Sequence, residues 1–223
     1  MSALFMSPTV LPTAAPAPGP VVLTGRYVTV TPLCQEHFHS IWEGTSEPAN
    51  GWLWTYLFDG PYSDRASFDS AMSAKVNSRD PLFFALIDHR TGLSAGHAAY
   101  MRIEPKHRCI EVGSILYSPA FQRTAAATEA MYLMARHVFE DLGYRRYEWK
   151  CNALNELSRR AALRLGFTFE GIFRQHMIIK GRNRDTAWFA MLDGEWPARK
   201  AAFEHWLAPE NFDRAGCQIS RLG

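Results

Sequence analysis

The sequence predicts an α+β fold, a mixed and mostly antiparallel central sheet flanked by helices. Three observations predict it. β-prone runs and helical patterns follow in the order β, α, α, three β, α, β, α, β, β. The three consecutive β-prone runs within 81–117 are joined by short polar turns, which makes them an antiparallel meander. The stretch 109–166 then reads strand, small-residue turn, helix, strand, helix, and this order makes the sheet mixed.

Taken in order, residues 1–20 are rich in Pro and Ala and predict a disordered tail. They have neither the basic start nor the unbroken apolar run of a signal peptide. Residues 21–196 form the expected domain, and 197–223 a C-terminal helix with an irregular tail packed on it. Alternating β-branched residues around Gly25 make 21–33 a strand or hairpin, and 35–42 a short helix. The segment 51–62 holds Trp52, Trp54 and Tyr56 between Gly and Pro. These rings either fill a core under a loop or form a pocket wall for a substrate. Helical spacing of Phe68, Ala71 and Met72 makes 63–78 a helix.

The meander strands are 81–88, 93–103 and 110–117. After the turn at 118–121, Ala127, Ala130, Met131, Met134, Val138 and Leu142 fall on one helical face, with Gly143 as the cap. Residues 147–151 read as a strand. The next helix, 155–165, sets Arg159, Arg160 and Arg164 away from Ala161, Ala162 and Leu165. Two long strands, 167–179 and 186–192, flank a polar turn at 180–185; the charges of His176, Lys180, Arg182 and Arg184 read as a solvated turn or as a border favouring an acceptor with an acid group. A helix at 195–207 completes the domain, with no internal repeat and no second domain.

Composition narrows the function. A net charge of +2 is too small to imply nucleic acid, although 145–184 carries ten Lys/Arg against three Asp/Glu. That basic stretch suits a solvated face, a nucleic-acid patch or the rim of a phosphorylated cofactor. Cys34, Cys109, Cys151 and Cys217 are widely spaced and no His cluster exists, so no metal site is expected and a reducing cytoplasm is. No apolar run approaches the ~20 residues of a membrane span.

The segment from Gln122 to Thr128, Gln122-Arg123-Thr124-Ala125-Ala126-Ala127-Thr128, enters a helix with methyl side chains. It reads either as a plain Ala-rich helix start or as a row of N–H groups open to a diphosphate. Glu111 is a candidate base or a surface Glu paired with Arg, and His97 is a rival base or a hydrogen-bonded structural residue. Ser158 is a candidate donor or an ordinary first-turn serine.

Gln122-x-x-Ala125-x-Ala127 resembles the pyrophosphate segment of the GNAT acyl-CoA N-acetyltransferases, with Ala125 where a Gly is usual. Glu111-Val112-Gly113, Asn152-Ala153-Leu154-Asn155-Glu156-Leu157-Ser158 and Leu165-Gly166-Phe167 resemble the RimJ/RimL-type branch of that superfamily, over roughly 23–196. The resemblance implies a splay between the fourth and fifth strands, with a pantetheine arm on Ile115, Leu116 and Tyr117. It implies acetyl-CoA as co-substrate, phosphates on Gln122 to Thr128, and Asn152 and Asn155 touching the cofactor. Glu111 would act as base through water and Ser158 near the thiolate. Many relatives have a Tyr where this chain has Ala162. The acceptor would be a primary amine, on a protein N-terminus or a small molecule, attacking directly in a ternary complex. Trp52, Trp54, Tyr56 and His97 would border it. A monomer or homodimer is expected, with no nucleic-acid or membrane partner. The alternatives are an acyl-CoA-binding regulatory module without turnover and an RNA-associated protein.

Overall fold

The computed structural model describes residues 9, 10, 12–214 and 216–222. The alternation in 21–33 folds as a hairpin of β1 (Leu23–Thr24) and β2 (Val28–Pro32). A 3-10 turn at Gln35–His37 enters α1 (Phe38–Thr45), and a second 3-10 segment covers Pro48–Trp54. α2 (Arg65–Asn77) begins at Asp64, whose carboxylate accepts the Ser67 N–H at 2.8 Å and so caps the helix. The meander is β3 (Leu82–Asp88), β4 (Leu93–Glu104) and β5 (Cys109–Tyr117). α3 (Ala125–Arg136) widens into one π-helical turn at His137–Asp141. β6 (Arg146–Asn152), α4 (Glu156–Arg164), β7 (Thr168–Ile179), β8 (Arg182–Leu192) and α5 (Trp196–Leu207) follow. No helix among the described residues is long and apolar enough to cross a membrane.

The strands form one sheet in the order β1-β2-β3-β4-β5-β6-β8-β7. Its single parallel contact among the described residues, β5 with β6, runs from Cys109↔Arg146 to Val112↔Trp149 and stops. The cause is a bulge. Between Ala99↔Gly113 and His97↔Leu116, β5 uses one residue more than β4, and Ser114 adopts a left-handed φ of 47°. A bulge bends its strand. Beyond Val112 the two strands therefore diverge, which is the splay expected between the fourth and fifth strands. Gly96 sits opposite this bend because a Cβ there would lie 1.9 Å from the Leu116 carbonyl oxygen.

One face of the sheet packs Phe38, Ile41, Phe68 and Met72 of α1 and α2 against Phe83, Ala85 and Ala99. The other carries α3, buried almost all round because the sheet lies on one side and Phe203 and Trp196 of α5 on the other. α3 also anchors the first hairpin. The buried Glu129 carboxylate accepts the N–H groups of Arg26, Tyr27 and Val28 at 2.8, 2.6 and 3.0 Å. Glu129→Ala leaves three donors without an acceptor and is expected to cost about 4 kcal/mol. Thermal unfolding should then shift down by roughly 10 °C. A shift under about 3 °C would refute the anchoring role.

Two expectations change. The turn between the last strands is two residues, Lys180 and Gly181 at φ 50° and 70°, the left-handed pair of a tight hairpin. Arg182 and Arg184 thus belong to β8 and not to a solvated loop, and Arg184 is buried. Within the stretch expected as a tail, Ala15 is buried and donates its N–H to the Pro105 carbonyl at 3.0 Å. Residues 1–8 and 11 lie outside the described residues. The segment after α5 packs on the domain through Trp206 against Phe212 and the Trp206 indole N–H donating to Gln218.

Candidate active site

The splay opens into a cleft of about 1420 Å³. Its walls are the diverging end of β5 (Ile115, Leu116, Tyr117), the segment Gln122 to Thr128, the end of β6 with Asn152, and one face of α4.

At the α3 end, Arg123 is left-handed at φ 61° and Thr124 is extended, so the chain turns sharply into the helix. The Thr124 hydroxyl accepts the Ala127 N–H at 3.1 Å. The N–H groups of Arg123, Thr124, Ala125 and Ala126 have no acceptor among the described residues. Four bare donors at the positive end of a helix, with methyl side chains that permit close approach, suit a diphosphate. The Gln122 side chain braces the turn by donating to the Tyr117 carbonyl at 3.2 Å.

α4 contributes differently from its sequence pattern. Leu157, Ser158, Arg160, Ala161, Arg164 and Leu165 line the cleft, a face of i, i+3, i+4 and i+7 spacing. Arg164 therefore points inward, correcting the outward placement. Its guanidinium donates to the Thr128 hydroxyl at 3.1 Å and stacks 4.8 Å from the Trp206 ring, with no carboxylate partner among the described residues. Of the other arginines, Arg160 lines the cleft but pairs with Glu156 at 2.9 Å, and Arg159 faces Glu156 and Phe169 outside it. Trp206 at the end of α5, with Phe212 and Cys217, completes this end of the wall, and nothing in the irregular sequence around Phe212 and Cys217 signals it.

Midway along the cleft, the Trp149 indole N–H donates to the Ser158 hydroxyl oxygen at 2.9 Å. The hydroxyl proton remains available as a donor. Asn155 caps α4 by accepting the Ser158 N–H at 3.1 Å, and Asn152 accepts the Leu154 N–H at 2.9 Å. Both asparagines also line the cleft. Burial pushes the Cys151 thiol pKa up, so it is a poor nucleophile. Glu111 is 3% exposed and lines the cleft between Arg102 at 2.7 Å and Lys150 at 3.0 Å. Lys150 also pairs with Glu148 at 2.6 Å. Much of the basic 145–184 charge is neutralised this way, since Arg146 pairs with Glu148 and Glu170.

The aromatic segment divides. Trp52 and Tyr56 line the cleft, and the Tyr56 hydroxyl donates across its mouth to the Leu154 carbonyl at 3.2 Å. Trp54 is buried edge-on against Tyr62 and lies outside the lining, so it is core. His97 also falls outside it. It is fully buried, and Nδ1 lies 2.9 Å from the Ser114 carbonyl, an acceptor, so Nδ1 carries the proton and holds the bulge. Its role is to shape the splay.

Burial, with Lys75 nearby, lowers the His97 pKa to about 4. The unfolded ring binds a proton near pH 6.5 and the folded one only near pH 4, so acidification across that interval favours unfolding. The stability present above pH 6.5 should fall by about 3 kcal/mol as pH drops to 4. Urea unfolding at both ends of the interval checks this: His97→Gln should show a much flatter dependence, and identical slopes would exclude the histidine as the cause.

A family model described as an acetyltransferase (GNAT) domain matches residues 28–168. A solved GCN5-related N-acetyltransferase from Brucella melitensis is 51% identical, covering 94% of this chain and 96% of its own, with a TM-score of 0.92. A probable GNAT-family acetyltransferase from Chromobacterium violaceum is 34% identical, covering 86% of this chain and 100% of its own, with a TM-score of 0.77. A structure described as RimL, a ribosomal L7/L12 alpha-N-protein acetyltransferase, is 18% identical over 77% of this chain and 94% of its own, with a TM-score of 0.67, and shares the fold alone. A search of curated protein sequences returns no match.

Proposed function

The chain belongs to the GNAT acetyltransferase family, and from that premise we propose that it moves an acetyl group from acetyl-CoA to a primary amine by direct attack in a ternary complex. The observation that carries this reading is the four bare N–H groups at residues 123–126, which open into the same cleft as Glu111 and Ser158. They would hold the pyrophosphate, with Arg164 adding a cation at that end. The edge of β5 beyond Val112, unpaired with β6, would hold the pantetheine arm by strand-like bonds.

The amine nitrogen attacks the thioester carbonyl carbon, a C–N bond forms, and the C–S bond breaks. Glu111 takes the amine's proton through water, its carboxylate held in position by Arg102 and Lys150. The departing thiolate receives a hydrogen bond from the Ser158 hydroxyl, strengthened by the indole donating to its oxygen. The acceptor enters beside Trp52 and Tyr56. The segment 152–158 favours the RimJ/RimL-type branch, and the four free thiols suit a reducing cytoplasm.

Calorimetric titration with acetyl-CoA, with NADH and ATP as controls, tests the reading. Selective binding with a Kd of about 1–100 μM is expected, followed by thiol release with an amine from a mixed panel. Binding without thiol release from any amine would select the non-catalytic acyl-CoA module instead. No binding would end both.

A further inference from the structure

The acceptor half of the cleft holds an unpaired buried cation. Arg184 is 5% exposed, lines the cleft, and its Nε has no hydrogen-bond partner among the described residues. No carboxylate lies within ion-pair distance of its guanidinium among the described residues, Glu111 acting on it only from further off; its ring neighbour is Phe58, 5.2 Å from Cζ. The other cations of this region are engaged. Lys150 is held by Glu111 and Glu148, Arg102 by Glu111, and Lys180 donates to the Trp54 carbonyl at 2.8 Å. Burial disfavours the charged form of Arg184, yet a guanidinium keeps its proton in proteins. A buried charge without a counter-ion is costly, and an aromatic ring replaces only part of the lost hydration.

Register explains how it gets there. Arg184, Thr186 and Trp188 alternate onto one face of β8, and Trp188 pairs with Lys150 of β6, so Arg184 shares the face of Lys150 and Glu111. That face meets the Tyr56 and Phe58 wall, away from the bare N–H groups of α3. We propose that Arg184 binds a carboxylate of the acceptor, so that the preferred substrates are small amines bearing an acid group, such as amino acids. A planar fork of donors matches a carboxylate in two-point contact. This assignment rests on the acyl-transfer reading above.

The test is thiol release from acetyl-CoA with L-amino acids and their carboxamides, using the full chain, Arg184→Gln and Arg184→Lys. The acids should exceed their carboxamides about 100-fold in kcat/KM for the native protein, because an unmatched buried fork rejects the neutral analogue. Arg184→Gln should bring that ratio close to one, chiefly through KM, and Arg184→Lys should restore part of it. The Kd for acetyl-CoA should stay the same in both variants. Arg184→Gln should keep or raise the unfolding temperature, since it removes an uncompensated buried charge. Equal rates for acids and carboxamides would overturn the proposal. So would a fall in unfolding temperature with both substrate types equally impaired, which would make Arg184 a structural stack. If acetyl-CoA binds but no acid-bearing amine turns over, the Arg184 assignment fails alone. If acetyl-CoA does not bind, the transferase reading fails and takes this one with it.

Discussion

Ala125→Pro is expected to weaken acetyl-CoA binding about 100-fold while leaving the protein at least as stable as before. Ala125 is the first residue of α3, where the ring's fixed φ is already helical and the lost N–H had no acceptor among the described residues. The residue before a proline must be extended, and Thr124 is, at φ −95° and ψ 165°. The cap from the Thr124 hydroxyl to the Ala127 N–H is untouched. Only the ligand loses: one charge-assisted hydrogen bond disappears, and a ring carbon stands where a phosphate oxygen would approach. Calorimetry and thermal unfolding separate the two effects. A Kd within about threefold of the native value would remove the 123–126 turn from the binding site.

Glu111→Gln is expected to lower kcat about 100-fold, the low end of what a positioned base contributes. It should also cost about 2 kcal/mol of stability, because a buried ion pair loses one partner. The cost stays moderate because Lys150 keeps Glu148 and Arg102 is part-exposed. Binding of acetyl-CoA should change little, since Glu111 lies away from the α3 end of the cleft. Ser158→Ala should cost about tenfold in kcat, a single hydrogen bond to the thiolate. Single-turnover rates measured at saturating acetyl-CoA decide the matter. If Glu111→Gln leaves kcat intact, the carboxylate is a structural ion-pair partner and the amine's proton leaves by another route.

The two candidate bases show how far a sequence reaches. Glu111 and His97 stand on neighbouring strands with equally plausible chemistry. Structure separates them: Glu111 faces the cleft, whereas His97 spends its N–H on the bulged Ser114 carbonyl. Trp52 and Trp54 divide in the same way, one on the cleft and one in the core. Arg164 was legible in principle, because Leu157, Ala161 and Arg164 repeat at helical spacing beside Ser158. The wall at Phe212, Cys217 and Gln218 was not, since irregular chain carries no periodicity to read.

What the sequence determined by itself is local: which runs become strands, where α3 and α4 begin, and the small-residue entrance at 122–128. These follow from alternation, helical spacing and caps, whose physics acts within a few residues. The tertiary structure alone decided that β5 parts from β6 after Val112, that Arg184 is buried without an ion-pair partner among the described residues, and that Glu129 holds a hairpin 101–103 residues away. Each depends on strand register and on bulges, where one residue more or less turns every later side chain to the opposite face. That sum runs over the whole sheet, and no short stretch of sequence contains it.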